Sequence, residues 1–308
     1  MSIRALRSSR TISSLSFAAA AALTVGACGD DGSTPAQPDA ASVDAAPPID
    51  APTTTAVSIR FAAKVGGAAF SCGGGYAALG TTSATYVGAD FRFFISNLAL
   101  VPTGGGAAVP VALTANANQT ADGVALLDFE DATANCQTGN AATYTTVVGT
   151  VPTGSYGGVQ FDLGIPADRN HLDPSLATAP YNAPGMLWAW QSGHKFAKID
   201  GVVGTAGFNL HLGSTGCPGT SPMQPPTGAC ANPNRPAIAL TGFDPATDTI
   251  VADVAPVLAG EDLTTNTPAT APGCMSFPGD PECDTILPRL GVPYGSAPAE
   301  AQRLFAVE

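Results

Sequence analysis

The sequence predicts an all-β protein, with an antiparallel sandwich or barrel-like domain whose long loops are pinned by disulfides. Many short segments have strand character, and clusters of Gly, Pro, Asn and Asp separate them. No segment shows a convincing hydrophobic period of 3.6 residues, which an amphipathic helix would require. Together these two observations favour a sandwich or a barrel over any helical fold.

The clearest strand pattern lies in residues 56–65, where Val57, Ile59 and Phe61 share one parity. Such alternation is typical of a strand with one buried face. The other segments that predict strands are 90–101, 124–129, 143–151, 158–163, 195–203, 208–212, 237–240 and 249–257. We expect little helix, with a short piece near residues 172–176 or near 298–304.

Residues 1–27 have the composition of a secretory signal peptide. Arginines at positions 4, 7 and 10 precede an apolar run that extends from Leu15 to Ala27. The run ends in Val-Gly-Ala before Cys28, which resembles a bacterial lipoprotein box in which the cysteine is lipidated and becomes the new N-terminus. A cleaved signal with a chance cysteine is the alternative. The run is too short for a confident membrane span, and none follows later.

We therefore expect a protein of the periplasm or cell surface that is held on the membrane by lipidated Cys28. Gly29, directly after that cysteine, favours the outer membrane. Residues 28–54 are rich in Ala, Pro, Asp, Ser and Thr and contain no aromatic residue, so we expect a disordered tether. Residues 55–308 follow as a single β-rich domain, because neither a second biased linker nor an internal repeat interrupts them.

The net charge of −12 argues against a nucleic-acid partner, because an acidic protein gains nothing from displacing counterions. Six cysteines follow Cys28, and an even number in an exported protein predicts disulfides. These candidates are Cys72, Cys136, Cys217, Cys230, Cys274 and Cys283. The pairs Cys217–Cys230 and Cys274–Cys283 would each close a short loop rich in Pro and Gly. Thiolate metal ligation is disfavoured because no C-x-x-C pair occurs.

The functional signal is a cluster of ligand-type residues. All three histidines and both tryptophans lie between His171 and His211. Imidazole nitrogens and oxidisable indoles are the groups that a copper or redox site needs. Two long segments without strand character, 166–184 and 213–235, flank this cluster, and long ordered loops are often functional.

The parity of two segments predicts how the cluster is presented. In residues 208–212, Phe208, Leu210 and Leu212 should face the core, so that His211 points the other way and is accessible to a ligand. Met186, Trp188 and Trp190 also share one parity and would stack along one face. These three residues are either a hydrophobic anchor or the surroundings of a redox-active indole.

The other two histidines carry weaker signals. Asp173 follows His171 at a distance of two residues and is a candidate to orient its ring. His194 lies in a Ser-Gly-His-Lys stretch that also suits a surface or turn histidine. Taken singly, each histidine of the chain is more often structural than metal-binding, and only the cluster favours a site.

Five blocks of the sequence together form a recognisable pattern. The blocks are Arg-Phe-Phe-Ile-Ser-Asn-Leu at 92–98, Leu-Leu-Asp-Phe-Glu at 126–130 with Cys136, Asn-His at 170–171, Met-Leu-Trp-Ala-Trp-Gln-Ser-Gly-His-Lys-Phe at 186–196, and His-Leu-Gly-Ser-Thr-Gly-Cys at 211–217. In this order they resemble the MbnP-like proteins, also called the metallo-mystery pair four-Cys motif family. The resemblance covers about residues 55–263, and its last two blocks are the most specific.

The resemblance implies a periplasmic or surface copper-binding protein with a di-haem partner of the MauG-like, cytochrome c peroxidase-like type. In such proteins the partner oxidises a tryptophan to kynurenine, and two histidines hold copper together with the modified residue. Carried over, His171 and His211 are the ligands, and either Trp188 or Trp190 is modified. His194 stands where tyrosine is a common alternative, which makes it a weaker candidate.

Two other classes of function compete with a copper protein. The first is a metal-independent module whose loops and aromatic residues bind a glycan or peptide at the cell surface. The second is an enzyme in its own right, which the sequence does not support. It contains no G-x-S-x-G elbow, no H-E-x-x-H, no phosphate-binding glycine loop and no EF-hand loop. We therefore expect a substrate of a partner enzyme rather than a catalyst.

Overall fold

The computed structural model describes residues 53–308, and most of their regular structure is β-strand. In chain order the strands are β1 (Thr54–Val65), β2 (Ala68–Ala69), β3 (Gly75–Leu79), β4 (Ala84–Pro102), β5 (Val109–Pro110), β6 (Ala112–Leu113), β7 (Val124–Asp128), β8 (Thr146–Pro152), β9 (Tyr156–Leu163), β10 (Leu187–Ala189), β11 (Gly193–His194), β12 (Ala197–Val203), β13 (Ala206–Leu212), β14 (Ala237–Thr241), β15 (Thr249–Asp253), β16 (Gly273–Cys274) and β17 (Phe305–Val307). The helices are α1 (Ala167–Asn170), α2 (Ala255–Leu258) and α3 (Cys283–Arg289).

The strands form two large sheets and one small hairpin. The six-stranded sheet has the order β17-β15-β1-β8-β6, with β2 also paired to β1. The nine-stranded sheet has the order β14-β9-β4-β12-β13-β16, and β3, β5 and β7 pair with β4 as well. Strands β10 and β11 form the hairpin. The curled sheets make a half-barrel, which confirms the all-β, barrel-like prediction.

Two pairings depart from the antiparallel arrangement that the sequence predicts. Strand β1 pairs in parallel with β15, and β13 pairs in parallel with β16. A parallel neighbour must come from a distant part of the chain, because a tight hairpin joins only antiparallel strands. Strand alternation carries no information about such long-range pairing, so the sequence pattern missed it.

A cluster of phenylalanines lies within the hydrophobic core between the two sheets. Phe93 on β4 and Phe161 on β9 belong to the nine-stranded sheet, and Phe61 on β1 and Phe305 on β17 belong to the six-stranded sheet. The ring centroid of Phe305 lies 5.3 Å from that of Phe93 and 5.1 Å from that of Phe161, in edge-to-face geometry. Such aromatic pairs add to the free energy gained by burying the rings.

The nine predicted strands are all present, with end points that shift by up to six residues. The sequence did not predict eight further strands, which are β2, β3, β5, β6, β10, β11, β16 and β17. The prediction of a strand through residue 257 is wrong, because β15 ends at Asp253 and α2 follows. The carboxylate of Asp253 accepts hydrogen bonds from the backbone of Gly66, Gly67 and Ala255, which turns the chain.

The expected helices near residues 172–176 and 298–304 are also wrong. Asp173 accepts hydrogen bonds from the backbone and hydroxyl of Ser175, which makes a local turn instead of a helix. Residues 298–304 are irregular. The longest helix within residues 53–308 is α3, which begins at Cys283 and brings Ile286 and Leu287 into the core.

All six predicted cysteines form disulfides, in the pairs Cys72–Cys136, Cys217–Cys230 and Cys274–Cys283. The two local bridges are those that the sequence favours. The first spans 64 residues and ties the start of the domain to the loop after β7. Each bridge therefore restrains a segment that has little strand structure of its own.

The predicted signal peptide, Cys28 and nearly all of the tether lie outside the described residues. Residue 54, which we assign to the tether, is the first residue of β1. None of the helices within residues 53–308 has the length and apolar character of a bilayer-spanning segment.

We expect Phe93→Ala to destabilise the fold by about 3–5 kcal/mol, because it leaves a cavity between the sheets. Chemical denaturation gives the free energy of unfolding. Phe277→Ala is the matched control, because 46% of Phe277 is exposed whereas Phe93 is fully buried. A loss for Phe93→Ala no larger than that for the control would contradict this description of the core.

Candidate metal centre

The face of the nine-stranded sheet that points away from the phenylalanine core carries a row of polar side chains. In the strand register, Asp128 on β7 lies opposite Arg92 on β4, Arg92 lies opposite Lys198 on β12, and Lys198 lies opposite His211 on β13. Cross-strand neighbours project from the same face of a sheet, so these four side chains form one row. All four are buried.

A continuous line of ion pairs runs along this face. The carboxylate of Asp90 accepts hydrogen bonds from Nε and Nη2 of Arg92, at 2.8 and 2.5 Å. Lys198 Nζ contacts Asp90 and lies 2.6 Å from Oδ2 of Asp200. The hydroxyl of Thr138 donates a further hydrogen bond to Asp90, and Arg92 donates one to the carbonyl of Pro184. The charges are therefore paired within the buried layer, as buried charges must be.

A second pair of carboxyl groups lies next to Arg92. Burial raises the pKa of Asp128 to about 7; the charge of Arg92 opposes this shift and the charge of Glu130 adds to it. Glu130 is fully buried and accepts hydrogen bonds from the backbone of Ala132 and Asn140. Both carboxyl groups come from the Leu-Leu-Asp-Phe-Glu block, which thus contributes two buried acidic side chains next to Arg92.

His211 ends the row of polar side chains. Its Nε2 atom lies 2.7 Å from Oδ1 of Asp200, while its Nδ1 atom is buried and has no hydrogen-bond partner among residues 53–308. Burial raises the pKa of Asp200, but the hydrogen bond and charge of His211 and the charge of Lys198 outweigh it and lower the pKa overall. A buried imidazole nitrogen without a partner is the kind of atom that a metal ion would satisfy.

The predicted facing of residues 208–212 is confirmed, but the predicted accessibility of His211 is wrong. Phe208, Leu210 and Leu212 are buried on the core side, yet His211 is itself only 6% exposed. The reason is that other segments cover the polar face. Ser276, for example, donates a hydrogen bond from its hydroxyl to the carbonyl of His211.

Trp188 lies against His211. The centroid of its ring is 6.5 Å from that of His211 and 5.6 Å from that of Phe277. Gly213 makes this approach possible, since a Cβ atom at that position would overlap the Trp188 ring. Phe277 belongs to the loop that the disulfide between Cys274 and Cys283 closes.

His171 and Trp190 form a second group. The indole Nε1 of Trp190 donates to the carbonyl of His171 at 3.0 Å, and Nδ1 of His171 lies 3.2 Å from the carbonyl of Trp190. Nε2 of His171 is 3.3 Å from the amide nitrogen of Asn170 and 3.4 Å from Sγ of Cys230. Burial lowers the pKa of His171, and the hydrogen bond with Trp190 opposes this shift.

The ligand atoms of His171, Cys217 and Cys230 lie within 4.8 Å of one another. Those of Cys72, Glu130 and Cys136 form a similar group. In both groups the two sulfurs are joined in a disulfide, so neither group offers thiolates to a metal.

His194 has the contacts of a structural histidine. It is 1% exposed, its Nδ1 faces the carbonyl of Asn170 at 3.0 Å, and its Nε2 faces the carbonyl of Tyr181 at 2.8 Å. Burial lowers the pKa of His194, and the two carbonyl groups oppose this shift. Neither ring nitrogen is left free to face a metal.

The structure thus divides the predicted site residues into two groups. His211 lies with Trp188, and His171 lies with Trp190. Residues 213–217 connect the groups, because Gly213 lies next to the Trp188 ring and Sγ of Cys217 lies within 4.8 Å of a ring nitrogen of His171. The predicted stack of Met186, Trp188 and Trp190 is not formed as one unit, since Met186 is fully buried and the two indoles have different partners.

Sequence reasoning missed Asp200, Lys198 and Phe277. The parity of residues 195–203 places Lys198 and Asp200 on one face of a strand, and this signal was available. It is not specific, however, because only the register between β12 and β13 shows that both residues flank His211.

A model of the MbnP family matches residues 54–276. The chain belongs to the MbnP family. Among solved structures, it is similar to MbnP from Methylosinus trichosporium, with 32% sequence identity and a TM-score of 0.74 over 83% of this chain and 98% of that chain. A search of curated proteins finds no match. The family match confirms the resemblance seen in the sequence blocks, and it ends one residue before Phe277.

The loop that carries Phe277 also contains two buried carboxyl groups. Asp280 and Glu282 are 5% and 7% exposed, and one oxygen of each has no hydrogen-bond partner within residues 53–308. Burial raises the pKa of Asp280 to about 6, and the adjacent Glu282 adds to the shift. Burial also raises the pKa of Glu282, but hydrogen bonds from Asp280 and Thr267 outweigh it and lower the pKa overall.

We expect the ionisation of Asp280 to destabilise the folded protein and the ionisation of Glu282 to stabilise it. The folded-state pKa of Asp280 lies above the usual value of about 3.9, so its contribution to stability is lost as the pH rises from about 4 through 6. Asp280→Asn should therefore raise the melting temperature at about pH 8 and leave it nearly unchanged at about pH 4.

Glu282→Gln is the matched control, because the ionised form of Glu282 is favoured in the folded protein. This variant should lower the melting temperature at about pH 8. Thermal unfolding of both variants against wild type checks the pair. Equal shifts of the same sign would contradict the assignment of the raised pKa to Asp280.

Proposed function

We propose that this protein binds copper through His211, at the position where its side chain meets Trp188. The observation that supports this most strongly is the buried, unpartnered Nδ1 atom of His211. A carboxylate orients the same ring from its other nitrogen, an arrangement typical of histidines that ligate metals. Imidazole suits copper, which stands at the top of the affinity order of divalent first-row metals. Bound copper would add a centre that can gain or lose one electron.

His171 enters the proposal as the second ligand through the family resemblance. Its contacts with Trp190 fix Nδ1 as the hydrogen-bond donor, because a carbonyl oxygen can only accept. The lone pair is therefore on Nε2, which accepts only the long contact from Asn170. A metal ion bound at Nε2 would replace this contact with Asn170. His194 lacks such a free nitrogen, so we do not include it.

Trp188 is the tryptophan that we propose for conversion to kynurenine, because its ring lies against His211. The C2–C3 bond of the indole would break in a four-electron oxidation that adds one oxygen atom to each carbon, and hydrolysis would then release C2 as formate. The product carries an aniline nitrogen and a carbonyl oxygen, which are new ligand atoms beside the imidazole. The indole nitrogen of Trp190 is instead occupied by the carbonyl of His171. The oxidant would be a di-haem partner of the MauG-like type. This protein is then the substrate of that enzyme and not a catalyst itself.

The proposal also includes export and a membrane anchor. The sequence of residues 1–28 favours a lipoprotein held on the outer membrane through Cys28. The three disulfides suit an oxidising compartment outside the cytoplasm. Copper would accordingly be bound in the periplasm or at the cell surface.

We expect protein produced together with its di-haem partner to retain copper, and His211→Ala to lower the copper affinity by about tenfold or more. The reason is that even the loss of a residue behind a metal ligand costs about 10–100-fold in affinity. Competition with a copper chelator gives the affinity. Asn209→Ala is the matched control, since Asn209 lies on the same strand and the same face but is only half-buried.

Mass spectrometry of the peptide that contains both tryptophans tests the modification. We expect the ring-opened product at Trp188, and we expect Trp188→Phe to abolish it while Trp190→Phe leaves it in place. Two unmodified tryptophans together with wild-type copper affinity in His211→Ala would overturn the proposed function. Modification at Trp190 alone would overturn only the choice of tryptophan.

A further inference from the structure

His211 offers two nitrogens, and the structure distinguishes them by their surroundings. Nε2 faces a carboxylate oxygen of Asp200 at 2.7 Å. A carboxylate only accepts hydrogen bonds, so this contact requires a proton on Nε2. In the neutral ring the lone pair is then on Nδ1, the buried atom without a partner. The contact with Asp200 therefore decides which nitrogen is available.

Asp200 is itself held by a cation on the neighbouring position of the same face. Its second carboxylate oxygen, Oδ2, lies 2.6 Å from Nζ of Lys198. Lys198 also contacts Asp90, and Arg92 pairs with Asp90 through two nitrogens. Because every member of this line is paired, the carboxylate of Asp200 has one preferred orientation, with one oxygen towards lysine and the other towards histidine.

We propose that Asp200 is the positioning residue that fixes the tautomer of His211, so that the ring binds its metal through Nδ1. Lys198 is the residue that keeps the carboxylate in place. This inference rests on the proposed function for the identity of the ligand, but the tautomer is a property of the metal-free protein and can be measured there. The strand register supplies the arrangement, because Lys198 and His211 are direct cross-strand partners and Asp200 is two residues further along β12.

Asp200→Asn should reverse the tautomer for a specific reason. The lysine ammonium can only donate, so the single amide oxygen of the asparagine would turn towards Lys198. The amide NH2 group would then face Nε2 of His211 and force that nitrogen to accept. The proton moves to Nδ1, and the nitrogen that we assign to the metal becomes blocked.

The double variant Asp200→Asn/Lys198→Met should restore the original tautomer. Without the ammonium group, the amide oxygen is free to face His211, and the NH2 group can donate towards Asp90. Lys198→Met alone should leave the tautomer unchanged, because the carboxylate of Asp200 remains. A merely structural role of Asp200 would not produce this reversal and rescue.

Long-range ¹H–¹⁵N correlation spectra of the metal-free full chain at about pH 8 read the tautomer directly. Only three histidines contribute signals, and His211→Gln assigns the relevant one. We expect a proton on Nε2 in wild type and on Nδ1 in Asp200→Asn. Copper affinity should fall by about 10–100-fold in Asp200→Asn and recover in the double variant. Asp162→Asn is the charge-matched control, because Asp162 pairs with Arg235 away from His211.

A wild-type ring with its proton on Nδ1, or an unchanged tautomer in Asp200→Asn, would overturn the inference. If the tautomer reverses as expected but wild type does not bind copper, the proposed function fails and the assignment of Asp200 as the positioning residue stands. If wild type binds copper and the tautomer does not respond, the inference fails and the proposed function stands.

Discussion

The contact of Lys198 with two carboxylates, Asp90 and Asp200, is the interaction on which the rest of the site depends. A charge taken out of water costs several kcal/mol unless it is paired, and removing one member of a buried pair typically costs about 3–5 kcal/mol. Lys198 and Asp90 are both buried; Lys198 is paired with Asp90 and Asp200, and Asp90 is paired with Lys198 and Arg92. Asp200 is less deeply buried, and its carboxylate connects this line of ion pairs to the ring of His211. The geometry at the proposed metal ligand is thus set by electrostatics within the sheet.

One face of the nine-stranded sheet is apolar and the other is polar. Phe93 and its neighbours join the two sheets, and the opposite face holds the charges next to Arg92 and Lys198. A sheet that packs on one side supports a polar site on the other without opening its core. The cover over this polar site comes from distant segments, in particular Trp188 on the hairpin and Phe277 on a disulfide-closed loop. These covers exclude water from His211, and a dry surrounding strengthens every electrostatic contact there.

Sequence patterns were sufficient for nine of the seventeen strands in residues 53–308, for the two local disulfides and for the family, because each of these depends on local composition or spacing. The alternation in residues 208–212 correctly placed Leu210 in the core and His211 on the opposite face. It could not show that His211 is buried, since the residues that cover it are remote in sequence. The helical turn at residues 255–258 was missed because Asp253 ends the preceding strand through contacts with the distant residues 66 and 67.

The site residues were predictable only in part, for the same reason. Histidines and tryptophans are rare in this chain, so their clustering is visible in the sequence. Asp200 and Lys198 are ordinary residues of a strand, and only the pairing of β12 with β13 gives them a role. The separate contacts of His171 and His211 also follow from the three-dimensional structure, since the sequence blocks that contain them do not show which groups surround each ring.

Anomalous diffraction at the copper absorption edge, from crystals of the copper-loaded protein, would locate the metal that we propose beside His211. We expect a single strong peak within bonding distance of Nδ1 of His211, next to the side chain at position 188, with Asp200 still on the opposite nitrogen. A peak that touches Nε2 of His211, or one that lies away from His211 altogether, would contradict it.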